Sequence, residues 1–262
     1  MQYFDSHAHY WDKRFENETE EGVDALLDAL FRESVSGIIN VATSPETARS
    51  AIEQARRYPR MYVAAGIHPT DSAELNLDES LSQLKVLLSD PTAKIKAIGE
   101  IGLDYYWTPF DKERQKLFFS EQMRLAERYD LPVVIHDREA HGDCFDMVRS
   151  FPCVRGVFHS YSGSAEMAKD LVRRGYMISF SGTVSFKNAR AVKEAAASLP
   201  RESVMIETDA PYLTPHPYRG KLNHSGYLAY TCAALAEAWG ISPEETAEIT
   251  TKNALRFFNI QE

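Results

Sequence analysis

Short runs rich in apolar and β-branched residues recur along the 262-residue chain, each followed by a stretch with helical periodicity. The predicted strands are Gln2–Ser6, Gly37–Ala42, Met61–Ile67, Ile95–Ile101, Pro132–His136, Arg155–His159, Tyr176–Ser181 and Ser203–Asp209. Most are apolar throughout rather than alternating, as parallel strands packed on both faces are. Between them, Glu20–Val35 carries Val23, Leu26, Leu27, Leu30 and Phe31 on one helical stripe. A second helix opens at Ser44-Pro45-Glu46, with serine as N-cap and proline at the first helical position. Further helices are predicted over Leu77–Leu88, Asp111–Tyr129, Asp143–Ser150, Ala165–Arg174, Asn188–Ser198, Gly226–Trp239 and Pro243–Phe257. This alternation, with no linker or composition break, predicts an α/β chain folded as a (β/α)8 TIM barrel, with residues 1–262 forming one domain. The competing architecture, a doubly wound open sheet, would place a Gly-rich dinucleotide fingerprint after the first strand; His7-Ala8-His9 stands there instead.

Composition narrows the class without deciding it. The apolar share of 44% and charged share of 26% are those of a globular protein. No apolar run approaches the roughly 18 residues of a membrane span. The N-terminal residues lack the basic segment and apolar stretch of a secretory signal, so the cytoplasm is the expected compartment. Cys144, Cys153 and Cys232 are odd in number and scattered, which fits reduced thiols better than a disulfide framework. A net charge of −9 argues against a broad basic surface for gripping duplex DNA, though not against a small positive site.

Barrel active sites lie at the C-terminal ends of the strands, so the chemistry should sit where the predicted strands stop. The first strand runs into His7 and His9, whose i, i+2 spacing turns both imidazoles to one face. Glu100 interrupts the apolar fourth strand, and a buried carboxylate needs a cation or a hydrogen-bonded partner. The fifth strand ends at His136, the sixth at His159 and the eighth at Asp209. Singly, each has an ordinary structural explanation. Together, four histidines and two carboxylates at strand ends point to nitrogen–oxygen coordination of two divalent cations, with one carboxylate shared. Zinc, magnesium and manganese all suit such a ligand set. Arg138, two residues beyond His136, is a candidate phosphate clamp, and His68 a candidate substrate contact. Tyr105, Tyr106, Trp107 and Phe110 form an aromatic group just past Glu100, able either to stack exposed bases or to pack the loop.

The chain resembles the TatD-type deoxyribonucleases of the metal-dependent hydrolase superfamily over essentially its whole length. The resemblance rests on FDSHAHY at the start, AAGIHP at Ala64–Pro69, AIGEIGLDYY at Ala97–Tyr106, IHDREA at Ile135–Ala140, FHSYSG at Phe158–Gly163 and ETDAPYLTPHPYRGK at Glu207–Lys221. It implies that His7, His9 and Asp209 hold one ion, that His136 and His159 hold the other, and that Glu100 bridges them. It also implies that Asp209 takes the proton of the attacking water. The implied reaction is phosphodiester hydrolysis at the 3′ ends of single DNA strands, with DNA ends as the partner and no membrane or obligate protein partner. Two departures bear on substrate preference. After Lys221 the pattern Leu222-Asn223-His224-Ser225 keeps only the usual asparagine, and Ser160 and Tyr161 stand where cysteine and phenylalanine are common. A carbon–nitrogen or ester hydrolase on the same barrel is the alternative, although relatives of that kind often bridge their ions with a modified lysine where this chain has Glu100. A non-catalytic metal-binding scaffold is a further alternative, which a lost ligand would have favoured.

Overall fold

Strand and helix alternate throughout the computed structural model, which describes residues 1–19 and 22–261. The order is β1 (Tyr3–Ala8), α1 (Arg14–Glu18), α2 (Gly22–Glu33), β2 (Val35–Val41), α3 (Pro45–Arg57), β3 (Met61–Ala64), α4 (Leu77–Leu88) and β4 (Ile95–Asp104). It continues through α5 (Lys112–Tyr129), β5 (Val133–Arg138), α6 (His141–Arg149), β6 (Gly156–Phe158), α7 (Ala165–Arg173), β7 (Met177–Phe180), α8 (Arg190–Ser198), β8 (Val204–Ile206), α9 (Leu228–Trp239) and α10 (Pro243–Phe257). The eight strands hydrogen-bond in sequential order in one sheet, and a parallel bridge between Ala8 and Ala210 joins β1 to the chain leaving β8. The fold is a (β/α)8 barrel.

Local chemistry accounts for most element boundaries. Ser44 caps α3 in a reciprocal capping box with Thr47. Asp111 accepts from the Arg114 amide at the start of α5, and Ser242 from the Glu245 amide at the start of α10. Several boundaries shift, β4 running on to Asp104 and β5 to Arg138, and three shifts have a plain local cause. The stretch Met61–Ile67 stops as a strand at Ala64, because the Gln122 side chain takes over both polar groups of the Ile67 backbone, at 2.7 and 3.0 Å. The eighth strand stops at Ile206 rather than Asp209, because the Thr208 amide turns to the Asp5 carboxylate at 3.0 Å. The first long helix ends at Glu33, and Val35 pairs with Tyr3 in the sheet; its expected first residue, Glu20, lies outside the described residues. Helix α1 was not expected: five residues are too few for periodicity to register, and buried Phe15 anchors it.

The chain divides into two compact units. The first comprises Met1–Asn40, His159–Arg173 and Met177–Glu262. In it α10 lies on β1 and β8, over a core that includes Phe4, Tyr10, Phe15, Ile178 and Phe180. The second comprises Val41–Phe158 and Arg174–Tyr176. There β3 to β6 pair in parallel, α3 covers β3 and α5 covers β4, with Ile98, Ile101, Phe118, Val133 and Ile135 buried between them. Among the described residues no helix is long and apolar enough to cross a membrane.

Candidate metal centre

In the first unit, strand geometry turns His7 and His9 to one side of β1, where their Nε2 atoms approach to 3.1 Å. The Asp209 Oδ1 atom lies 3.6 Å from His7 Nε2 and 3.3 Å from His9 Nε2. The His159 ring stacks on His7 with centroids 4.0 Å apart and planes 14° from parallel. Potential ligand atoms of His7, His159 and Asp209 all fall within 4.8 Å of one another. Two imidazole nitrogens facing each other beside a carboxylate suit a cation, since lone pairs that would repel can share one positive charge. Burial opposes ionisation of Asp209, but the His9 hydrogen bond and the nearby His159, His7 and His9 rings outweigh it and hold the carboxyl below its ordinary range.

Two buried carboxylates brace this cluster. Glu207 Oε1 sits 3.2 Å from His159 Nδ1 and accepts from the Ser160 amide at 2.8 Å. That contact orients the ring, the usual arrangement behind a metal-binding histidine. Asp5 accepts from the His7 and Thr208 amides and, at 2.6 Å each, from the Thr208 and Ser225 hydroxyls. It thus ties β1 to the segment carrying Asp209 and to the loop at Ser225. Burial pushes the Asp5 carboxyl up to about 7, against those four bonds.

The second unit gathers His68, Glu100 and His136, whose potential ligand atoms also lie within 4.8 Å of one another. His136 Nδ1 is 2.7 Å from Glu100 Oε1, and His136 Nε2 is 2.9 Å from Asp104 Oδ2. His68 Nε2 stands 3.6 Å from Glu100 Oε1, and its ring meets His136 edge-on at 4.4 Å. Register explains the grouping: β4 and β5 pair Gly102 with His136 and Asp104 with Arg138. Gly102 has φ +140°, and a Cβ there would run into the His136 carbonyl oxygen, so only glycine permits the approach. Asp104 Oδ1 also accepts from the Tyr106 and Trp107 amides at 2.9 and 3.1 Å. Burial raises the Asp104 carboxyl, yet the His136 contact and these two amides bring it below its usual value.

The sequence-derived residues therefore fall into two groups: His7, His9, His159 and Asp209 in one unit, and His68, Glu100 and His136 in the other. Arg138, paired with Asp104 in the β4–β5 register, carries its guanidinium 4.1 Å over the exposed Tyr106 ring and 5.8 Å from that of Trp107. His68, expected to touch substrate, shares the Glu100 carboxylate with His136 and is equally placed to act as a ligand. Asp5, Asp104 and Glu207 were not singled out from the sequence. The signal was available: each is an acid within or at the end of an apolar strand run, the argument that selected Glu100.

A barrel fold carrying imidazole and carboxylate groups in such clusters defines a metal-dependent hydrolase. Residues 4–259 match the protein family described as TatD related DNase. The chain is 38% identical, over 98% of its length and 99% of the relative's, to the uncharacterised metal-dependent hydrolase YabD of Bacillus subtilis. It is 34% identical to the uncharacterised metal-dependent hydrolase YjjV of Escherichia coli, with 98% of each chain covered. The crystal structure of that TatD homologue superposes with a TM-score of 0.91 at 32% identity, over 99% of this chain and 98% of the other. A TatD family hydrolase from Entamoeba histolytica shares the fold, with a TM-score of 0.88 at 23% identity over 100% of this chain and 99% of the other. The chain belongs to the TatD family of metal-dependent hydrolases.

Proposed function

We propose that this protein is a deoxyribonuclease that removes nucleotides stepwise from the 3′ ends of single DNA strands. The observation that carries the reading is the convergence of the His7 and His9 Nε2 atoms on each other and on the Asp209 carboxylate. Two divalent cations, zinc, magnesium or manganese, fit the donor set. His7, His9 and Asp209 would hold one, His136 and His159 the other, and Glu100 would serve both. Cations so held acidify water and offset negative charge developing on a phosphoryl oxygen. The chain's own part begins with Asp209, whose carboxylate accepts the proton of the attacking water. The oxygen of that water bonds to phosphorus and the bond from phosphorus to the 3′ oxygen breaks. A 5′-mononucleotide leaves, and the departing 3′ oxygen takes up a proton from solvent, so the shortened strand ends in a 3′-hydroxyl. Glu207 keeps His159 oriented throughout. The carboxylate at position 100, in place of a modified lysine, favours this reading over amide or lactone hydrolysis.

The test pairs elemental analysis of the purified protein with a nuclease assay. Up to two divalent ions per chain are expected, with mononucleotide release from 3′-hydroxyl strands abolished by EDTA and restored by metal. A blocked 3′ end and a circular strand should both resist. Inertness towards DNA combined with metal-dependent turnover of lactones or cyclic amides would overturn the proposal in favour of the other hydrolase class. Rapid cutting of the circle would replace the exonuclease by an endonuclease.

A further inference from the structure

The segment that follows Asp209 builds a basic groove for which the metal chemistry has no use. A cavity of about 370 Å³ in the first unit is lined by Arg14, Phe186, Pro211, Tyr212, Arg219 and Lys221, among others. Three cations around one cavity are unexpected in a chain of net charge −9. Among the described residues, neither Arg219 nor Lys221 forms an ion pair with a carboxylate. Arg219 instead lies 4.4 Å over the Phe186 ring, and Lys221 lies 5.3 Å over Tyr218. Arg14 sits 5.5 Å over the ring of Tyr212, which is 44% exposed. Nearby, Asp12 accepts from the Tyr212 hydroxyl at 2.7 Å and from the Arg14 amide at 2.8 Å, leaving one carboxylate beside three cations.

The groove is held in place as well as charged. Gly220, at φ +88°, allows the turn in which the Lys221 amide reaches the Tyr218 carbonyl at 3.1 Å. The Thr214 hydroxyl then ties down the Lys221 carbonyl at 2.6 Å. The groove also adjoins the candidate metal ligands: the Tyr212 amide donates to the Asp209 carbonyl at 2.8 Å, and the Tyr212 ring is 6.3 Å from that of His9.

From this we infer that Arg14, Arg219 and Lys221 form a backbone-binding subsite for single-stranded nucleic acid, gripping phosphates next to the scissile one while Tyr212 offers a face to a sugar or base. The Arg fork matches phosphate oxygens, the Lys ammonium supplies a point charge, and an exposed aromatic ring accepts any base. This extends the phosphodiesterase reading, on which it rests.

The experiment measures binding rather than turnover. A fluorescent 3′-hydroxyl oligodeoxythymidylate is titrated with protein in EDTA, where no cleavage competes, across a salt series. The Arg219→Ala/Lys221→Ala double variant, altered at two exposed side chains, should bind at least tenfold more weakly. Its log–log salt slope should be shallower by about 1.4, at about 0.7 per phosphate neutralised on a single strand. Arg219→Lys/Lys221→Arg, which keeps both charges, should retain the slope. Wild-type affinity and slope in the alanine variant would overturn the subsite, as would no oligonucleotide binding by the wild-type protein. The underlying reading is checked separately, by metal-supplemented hydrolysis of bis(p-nitrophenyl) phosphate by the wild-type protein. Inactivity there would sink the phosphodiesterase assignment while leaving the binding comparison to decide the groove.

Discussion

The two imidazole–carboxylate clusters use similar side chains in different states of readiness. In the first unit the side chains of His7, His9 and His159 are 0%, 6% and 5% exposed, and the His7 and His9 Nε2 atoms face each other at 3.1 Å. In the second unit His68 and His136 are 13% and 15% exposed, and carboxylates occupy both nitrogens of His136. A cation entering the first cluster meets nitrogens that already converge. One entering the second finds both His136 nitrogens against carboxylates and competes with more water. Preorganisation rather than residue type therefore separates the two.

The largest expected effect breaks the first cluster at its carboxylate. Asp209→Asn keeps the shape but removes the proton acceptor and one anionic ligand, so turnover should fall by about 10²–10⁴-fold. The circular dichroism spectrum and unfolding midpoint should stay near wild type, and a folded variant with wild-type turnover would refute the role of Asp209. A smaller effect sharpens the contrast between the clusters. Glu207→Gln should weaken one class of metal site by about 10–100-fold in calorimetric titration, because the orienting carboxylate is lost. Asp104→Asn should change affinity by less than about tenfold, because a bound cation displaces the Asp104 contact in any case. If Asp104→Asn proves the more damaging, the ranking is wrong and Asp104 is itself a ligand.

The smallest effect concerns what steadies the chain after β4. The Tyr105 hydroxyl, 2.7 Å away, and Lys116, 2.9 Å away, hold the Asp143 carboxyl below its ordinary value of 3.8. A carboxylate whose pKa is lower in the folded state stabilises that state above the unfolded value and loses the contribution as pH falls through the folded one. Asp143→Asn should therefore cost less than about 1 kcal/mol at neutral pH in urea unfolding, since the pair is partly exposed. The difference from wild type should vanish as the pH drops below that range. A cost that persisted in acid would point to packing instead of charge.

Alternation of apolar runs and amphipathic stripes was enough to determine the barrel, because parallel strands covered by helices admit little polar residue and leave a continuous signature. The cap at Ser44 was equally plain, since capping is settled within four residues. The histidines and acids at strand ends were visible for the same local reason. The bracing by Asp5, Glu207 and Asp104 was decided only by tertiary structure: which buried acid meets which ring depends on register and on loops that join residues some 200 positions apart, as Asp5 and Thr208 are. The groove of Arg14, Arg219 and Lys221 arose in the same way. Net charge sums over the whole chain, whereas the field at a site depends on which few charges the fold brings together.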